Sequence, residues 1–300
     1  MIDKPGIYSI GEAEYHADPC QEISLSSSIA KLLINRTPRH AWEAHPRLNP
    51  DWTPDNDEVF DIGSAAHSLF LRDVKPFVVV DSDNWRTKEA RQARDDARAN
   101  GKIPLLVGQW LRVNAMVAAA RVQLADHYEA KGAFTKGKPE QTLIWQEGDI
   151  WCRARLDWLP VGSIFDDYKT TECADPDVFL RQVLNIGHDI QAAFYCRGIR
   201  KLGLCATPTF QFIVQERDPP YQLSVCALAP DFIDLADHKV ARAIEIWRAC
   251  LAANKWPGYP KRTCWLETPP WHEAQFMARD ERTLDTEREL REAAKAQAPL

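Results

Sequence analysis

Residues 153–170 have the sequence Arg153-Ala-Arg-Leu-Asp157-Trp-Leu-Pro-Val-Gly-Ser-Ile164-Phe-Asp-Asp167-Tyr-Lys169-Thr170. Two partly apolar segments flank a Pro-Val-Gly-Ser turn, which predicts the two strands of a β-hairpin. Side chains alternate between the faces of a strand, so Asp167 and Lys169 share one face. A divalent metal ion can then be held between Asp157 and Asp167 while Lys169 reaches the attacking water or a scissile phosphate. This arrangement is suited to hydrolysis of a phosphodiester.

The same pattern has ordinary alternatives. Two aspartates ten positions apart occur in many unrelated chains, and at a hairpin they can simply be surface residues. A lysine at the edge of a strand can serve solubility alone. Asp166 faces away from Lys169, so we expect it to be structural or supporting rather than a metal ligand. The residues around this pattern decide between these interpretations.

The composition is that of a globular protein with an acidic average charge. Of 300 residues, 45% are hydrophobic and 27% charged, and the net charge is −6 at pH 7. No apolar run in the sequence is as long as the roughly 18 residues that a membrane-spanning helix needs. The first residues, Met1-Ile-Asp-Lys-Pro5, lack the layout of a signal peptide. We therefore expect a cytoplasmic protein with no membrane partner.

The average charge repels nucleic acid, so contact with DNA must come from local basic patches. Such patches occur at residues 86–94, 197–201 and 261–262. Each of them can equally be a solvated helix face that neighbouring acids balance.

The cysteines give no sign of a metal cluster. Eight are present and no two form a Cys-x2-Cys pair, which argues against a zinc ribbon and an iron–sulfur centre. We expect most of them to be small buried hydrophobic residues.

The first part of the chain has mainly helical patterns. Ser26 to Ser28 predict a helix cap before Ile29 to Ile34, and this helix stops near Thr37-Pro38 because proline disfavours helical geometry in the residue before it. The other elements predicted in this part are helices at Pro38–Glu43, Phe60–Leu71, Arg86–Asn100 and Val107–Lys131, a strand at Phe77–Val80 and a loop over residues 46–57.

From Glu140 onward, the spacing of apolar residues changes from the period of a helix to that of a β-strand. A three-stranded meander is predicted at Gln141–Trp145, Asp149–Asp157 and Ile164–Thr170, two more strands at Phe210–Gln215 and Tyr221–Leu228, and a closing helix at Asp231–Ala253. Asp175-Pro-Asp177 begins one long helix through Ile199, since aspartate caps a helix and proline suits its first turn. The order predicts an α/β fold with a mixed central sheet flanked by helices and an N-terminal helical elaboration.

We expect three regions along the chain. Residues 1–60 form an N-terminal extension packed on the core, residues 61–273 form the core, and residues 274–300 form a charged C-terminal tail.

The order of elements resembles the core of the PD-(D/E)xK nucleases, and separated motifs resemble its exonuclease VIII-type (RecE-like) members, phage or prophage enzymes related to the RecB-type nucleases. The motifs are Gly6-Ile-Tyr8 with Glu14-Tyr-His16, Ser26-Ser-Ser28 with the following helix and Pro38, Gly63-Ser-Ala-Ala-His67, Arg155-Leu-Asp157, Asp167-Tyr-Lys-Thr170 and Gln191-Ala-Ala-Phe-Tyr195. They cover most of the chain. Leu156 stands where the superfamily name has proline, a substitution typical of RecB-like branches.

The resemblance implies a metal site with His67 as a ligand beside Asp157 and Asp167. On its own, a histidine in a helix of small residues is more often a core or surface residue. Mg²⁺ is the expected cofactor, with Mn²⁺ as its substitute because imidazole is a softer donor than carboxylate. Lys169 would orient the water or offset phosphate charge in the transition state. Glu140, at the start of the first strand of the meander, can supply another carboxylate.

Gln191 and Tyr195 are four residues apart on a predicted helix and share one face. The resemblance implies that this face turns to the active site, where it contacts substrate phosphate or supports the lysine. A polar–aromatic packing pair is the alternative.

For the whole chain, the resemblance implies a metal-dependent 5′-to-3′ exonuclease. It would act on the ends of double-stranded DNA and leave single-stranded 3′ tails for phage-type recombination. It also implies a toroidal homo-oligomer that works with a single-strand annealing recombinase. The alternatives are a single-strand-specific or endonucleolytic member of the superfamily, and a DNA-binding recombination accessory protein with an inactive site.

Overall fold

The computed structural model describes residues 1–53, 60–71 and 77–296. Its contacts group Met1–Gly258 as one unit and Tyr259–Leu300 as a second. Residues 46–53 contain no helix or strand, as predicted, while the rest of the expected loop lies outside the described residues. Among the helices that are described, none is both long and apolar enough to span a membrane.

The first unit contains nine helices and nine strands in its described part. The strands are β1 (Gly6–Tyr8), β2 (Leu25–Ser26), β3 (Phe77–Val80), β4 (Ile103–Leu106), β5 (Gly137–Glu147), β6 (Ile150–Pro160), β7 (Ile164–Thr171), β8 (Thr209–Glu216) and β9 (Leu223–Ala227). The helices are α1 (Glu12–His16), α2 (Ser27–Asn35), α3 (Pro38–Glu43), α4 (Phe60–Leu71), α5 (Lys88–Ala99), α6 (Val107–Asp126), α7 (Pro176–Ile186), α8 (His188–Lys201) and α9 (Pro230–Ala253).

The described part of the second unit contains one helix, α10 (Pro270–Ala296), and its described side chains are exposed. The predicted division of the chain at residues 60 and 273 stays a prediction. In the first unit, the N-terminal residues contribute strands directly, because β1 pairs with β5 and β2 with β6.

The described strands form three hydrogen-bonded sheets, in the orders β1-β5-β6-β2, β3-β4 and β7-β8-β9. β7 and β8 are parallel and are joined through α7 and α8, so the predicted strand–helix–strand unit is present. The mixed sheets and their flanking helices confirm the predicted fold class.

The predicted three-stranded meander is wrong in its third strand. β5 and β6 form an antiparallel pair, but β7 pairs with β8 and not with β6, so Asp157 and Asp167 do not lie on a hairpin. β2 occupies the other edge of β6 at Cys152 and Arg153. Near the end of β6, the Asp157 carboxylate accepts the Tyr168 N–H at 2.8 Å. The Tyr168 N–H, which a β6–β7 ladder would have used, is therefore bonded to a side chain instead.

The long helix predicted from Asp175 is two helices. Its start is confirmed, since the Asp175 side chain accepts the N–H groups of Asp177 and Val178. Gly187 then ends α7 in the left-handed conformation, with φ of 77°, and α8 begins at the next residue. Glycine adopts this conformation without the steric penalty of a Cβ atom.

Four short elements were not predicted: β1, α1, β2 and β4, the last of which contains Pro104. α6 ends at Asp126 rather than Lys131. By contrast, Ser26 caps α2 through a hydrogen bond from the Ile29 N–H, as expected.

The main core lies between the β5–β6 sheet, α8 and α9. Its largest buried side chains include Trp145, Phe194 and Trp247. α8 approaches β5 closely because Gly198 faces the indole of Trp145: a Cβ at Gly198 would lie 2.7 Å from that ring. All eight cysteines are free thiols, and Cys20, Cys152, Cys196 and Cys250 are buried.

Candidate active site

The predicted site residues converge on one cavity of about 520 Å³. Those that line it are His67, Glu140, Asp157, Lys169, Gln191 and Tyr195. Asp167 is buried, with 1% of its side chain exposed, and contacts Lys169 and Gln191. Residues from α4, β5, β6, β7 and α8 are thus brought together, although more than one hundred positions separate the first from the last.

His67 is held between two carboxylates. Its Nε2 lies 3.0 Å from Asp157 Oδ2 and its Nδ1 3.3 Å from Glu140 Oε1. α4 comes close to β7 because residue 63 is glycine, where a Cβ would lie 3.1 Å from Thr170 Oγ1. Burial disfavours the imidazolium, but the charges of Asp157 and Glu140 outweigh it and raise the pKa of His67 to about 9. A protonated imidazole donates through both nitrogens, as these contacts require.

Glu140 reaches the site through an irregular backbone. It has φ of 54°, and the β5–β6 ladder pairs Pro139 with Trp158 and Gln141 with Leu156 but omits Glu140 and Asp157 between them. The left-handed region is sparsely populated by residues other than glycine. Arg155 Nε donates to Glu140 Oε2 at 2.6 Å and fixes the carboxylate. Burial raises the pKa of the Glu140 carboxyl, against the His67 charge.

Asp157 is the more acidic of the two aspartates at the site. Burial disfavours its charge, but His67, Lys169 and the hydrogen bond from the Tyr168 N–H lower its pKa. The resulting negative charge acts on its neighbour: burial, together with Asp157, raises the pKa of Asp167 to about 6 in spite of the nearby ammonium of Lys169.

Asp167 has a donor on each oxygen. Lys169 Nζ lies 2.5 Å from Oδ2, and Gln191 Nε2 donates to Oδ1 at 2.9 Å. The contact with Lys169 confirms that the two residues share a face of β7. Burial opposes the Lys169 charge, but Asp167 and Asp157 outweigh it and raise its pKa. Asp166 lies apart, where its Oδ1 accepts from Gln211 Nε2 at 2.6 Å.

Gln191 and Tyr195 both line the cavity from α8 and so lie on one face of that helix. Gln191 contacts Asp167 rather than the lysine. Tyr195 is buried, its hydroxyl has a hydrogen bond with Ser27, and burial raises its pKa well above the usual value. Ser26 and Ser28 contact each other at 2.9 Å, with Ser26 acting as the helix cap.

Several residues at the site were not singled out from the sequence. α1 contributes Glu12, Tyr15 and His16 to the cavity wall, and Lys31 of α2 donates to Gln191. The Glu14-Tyr-His16 motif was the available signal for the first group. Lys31 has no such signal, because only the fold brings α2 beside α8.

The donors have the chemical character that a hard divalent cation requires. Two carboxylates, Glu140 and Asp157, and the His67 imidazole line one cavity, and the Asp167 carboxylate is buried beside it. Asp157 disfavours the charge of Asp167, a repulsion that a bound cation relieves. Within the described residues, no three His, Cys, Asp or Glu side chains are gathered as metal ligands. The carboxylates are instead paired with the cationic side chains of His67, Arg155 and Lys169, and His67 would have to lose its proton to bind a cation. The residue types fit Mg²⁺ or Mn²⁺.

The fold is that of the PD-(D/E)xK nuclease superfamily. Residues 26–265 match the family described as a PDDEXK-like domain of unknown function (DUF3799), and the chain belongs to this family. Its fold is similar to the crystal structure of a provisionally named exonuclease from Eubacterium rectale, with a TM-score of 0.60 and 14% identity over 88% of this chain and 96% of that one. No curated protein matches the sequence.

Proposed function

We propose that the protein is a metal-dependent deoxyribonuclease that hydrolyses phosphodiester bonds. The observation that carries the proposal is the convergence of Glu140, Asp157, Lys169 and His67 on one cavity of a PDDEXK-like domain, with Asp167 buried against Lys169. Carboxylates beside a lysine are suited to binding a cation and a phosphate together.

Each residue has a distinct task in this proposal. Asp157, Asp167 and, once it has lost its proton, His67 would hold the cation, which would supply Lewis-acid activation of water and offset charge on the leaving oxygen. The Lys169 ammonium orients the attacking water or stabilises the charge of the phosphate in the transition state. Arg155 fixes Glu140, and Gln191 fixes Asp167, so that neither carboxylate must reorganise during the reaction.

The mode of cleavage that we favour is 5′-to-3′ exonuclease action on ends of double-stranded DNA, as in the exonuclease VIII-type enzymes. The product would be a single-stranded 3′ tail for a single-strand annealing recombinase in the cytoplasm of a bacterial host, with phage or prophage origin. A toroidal homo-oligomer would suit a chain of net charge −6, because a ring can concentrate basic groups on its inner wall. The name of the Eubacterium rectale neighbour agrees with exonuclease action.

Digestion of linear and covalently closed circular duplex DNA tests the proposal. In Mg²⁺ we expect loss of the linear form alone, in EDTA no loss, and with linear duplexes labelled at either end, release of the 5′ label first. Cutting of the circle would indicate an endonuclease, and loss of single strands alone a single-strand-specific enzyme. DNA binding without cleavage in either metal would indicate an accessory protein.

The Lys169→Ala variant separates chemistry from binding. We expect it to lose cleavage while DNA binding stays measurable, because the ammonium acts on the water or the transition state. Near-normal turnover of this variant would contradict the role proposed for the lysine.

A further inference from the structure

A second lysine lies behind the site without touching the cavity. Lys31 of α2 is partly buried, and its Nζ lies 3.4 Å from Gln191 Oε1. Its stem passes over the break between α7 and α8: a Cβ at Gly187 would lie 3.1 Å from Lys31 Cγ. The side chain is thus directed at the amide of Gln191 by its own packing.

The amide of Gln191 has only one orientation that satisfies both neighbours. An ammonium can only donate hydrogen bonds, and an ionised carboxylate can only accept them. With Oε1 toward Lys31, Nε2 donates to Asp167 Oδ1 at 2.9 Å. The reversed amide would place its NH₂ group against the ammonium and its oxygen against the carboxylate, which is two repulsive contacts.

A histidine adds to the same side of the amide. His188 Nδ1 lies 3.4 Å from Gln191 Oε1, and burial together with the charges of Lys169 and Lys31 lowers the pKa of His188 to about 3. A neutral imidazole can either donate or accept at Nδ1, so it does not choose the amide orientation. Burial and the charge of Lys169 lower the pKa of Lys31 to about 8, which leaves it largely protonated at pH 7.

We propose that Lys31 is a positioning residue that sets the amide orientation of Gln191, and through it the placement of the Asp167 carboxylate. The proposal rests on the proposed nuclease function only for its kinetic consequence, since the geometric consequence can be measured in an inactive protein.

The geometric test compares crystal structures of the wild type with Lys31→Met, Lys31→Arg and Lys201→Met. Lys201 is the matched control, because its side chain is half exposed and its ion pair is with Glu147, away from Gln191. We expect the Gln191–Asp167 contact to remain in wild type, K31R and K201M and to be lost in K31M. A K31M structure that keeps this contact would overturn the proposal, whether or not the protein cleaves DNA.

K31M is expected to fold, since it replaces a partly buried ammonium by a neutral side chain of similar length. If thermal unfolding shows otherwise, Lys31→Ala serves in its place.

In cleavage assays of K31M we expect kcat to fall about 10-fold while KM stays within about two-fold of the wild-type value. A loss of this size is typical of groups that orient metal ligands. In a Gln191→Leu background, K31M should have no further effect, because the two residues act in series. Additive losses, or a rise in KM alone, would instead mean direct contact of Lys31 with substrate. A wild type that cleaves no DNA refutes the nuclease proposal and leaves the crystallographic result to decide this one.

Discussion

Asp166 and Asp167 are adjacent and both buried, yet they contact different parts of the molecule. Asp167 meets Lys169 and Gln191 at the cavity, whereas Asp166 is held by Gln211 on the opposite side of β7. This follows from the alternation of side chains along a strand. The pair therefore offers a matched test, because the two residues share type and burial and differ only in the face of β7 on which their side chains lie.

We expect Asp167→Asn to lower the rate of DNA cleavage by at least about 100-fold, since it removes a charge that would face the cation and the reacting phosphate. Asp166→Asn should stay within a few-fold of wild type, because its amide oxygen can still accept from Gln211. Steady-state rates on linear duplex DNA, with circular dichroism as a check of folding, measure both. Equal losses in the two variants would contradict the assignment of Asp167.

His67 gives a prediction about metal preference. Imidazole is a softer donor than carboxylate, so we expect Mn²⁺ to support cleavage at least as well as Mg²⁺. His67→Asp should shift the preference toward Mg²⁺ by replacing nitrogen with oxygen. Titration of the cleavage rate with each metal measures this ratio, and activity with Mg²⁺ but none with Mn²⁺ in the wild type would count against His67 as a ligand.

At the scale of elements, α8 carries Gln191 and Tyr195 and packs closely on β5 because residue 198 is glycine. A methyl group there would lie within 3.0 Å of three atoms of the buried Trp145 ring. We expect Gly198→Ala to lower the free energy of unfolding by roughly 2 kcal/mol, as overpacking of a filled core does. Gly108→Ala is the matched control, since nothing lies within 4 Å of a Cβ at that helical position. Urea unfolding should show the control unchanged or slightly stabilised; similar losses in both would refute the packing argument.

Local sequence signals predicted the elements whose ends depend on local chemistry. α3 and β3 have the predicted bounds, and Asp175 caps α7 as expected. The same alternation rule placed Asp167 and Lys169 on one face. These features depend on neighbours within a few residues, which the sequence displays directly.

What was missed depends on contacts between distant residues. The break at Gly187 interrupts a pattern that is otherwise helical, and glycine alone does not reveal that Lys31 lies over it. The separation of β7 from β6 follows from the pairing of β7 with β8, forty-five positions along the chain. The left-handed backbone of Glu140 is likewise stabilised by its contacts with His67 and Arg155.

At the scale of the whole unit, a buried polar network joins the N-terminal segment to the sheet. Asp18 accepts from Ser24 Oγ at 2.7 Å and lies 3.1 Å from Arg153 on β6. His45 completes it: Nε2 lies 3.0 Å from the Ser24 carbonyl oxygen, and Nδ1 accepts the Arg47 N–H at 3.2 Å. Both nitrogens are therefore satisfied by the neutral imidazole with its proton on Nε2.

This network predicts a loss of stability in acid. Burial, together with the charge of Arg153, lowers the pKa of His45 from 6.5 to about 4, although Asp18 opposes the shift. The unfolded chain then binds a proton in a pH range where the folded chain does not, so the stability from His45 is present above pH 6.5 and is lost as the pH falls toward 4. The loss between pH 7.5 and pH 5 should be about 2 kcal/mol.

Other buried groups titrate in the same range, Asp167 among them with the opposite sign, so the test is the difference between variants. His45→Gln keeps a donor toward Ser24 but cannot be protonated, and its free energy of unfolding should fall less than that of the wild type between pH 7.5 and pH 5, by about 2 kcal/mol. His238→Gln, at an exposed position on α9, should follow the wild type. Urea unfolding at the two pH values measures all three proteins. An equal fall in the free energy of unfolding of H45Q and wild type would mean that His45 is not held neutral. The buried polar network between the N-terminal segment and the sheet would then contribute no acid sensitivity.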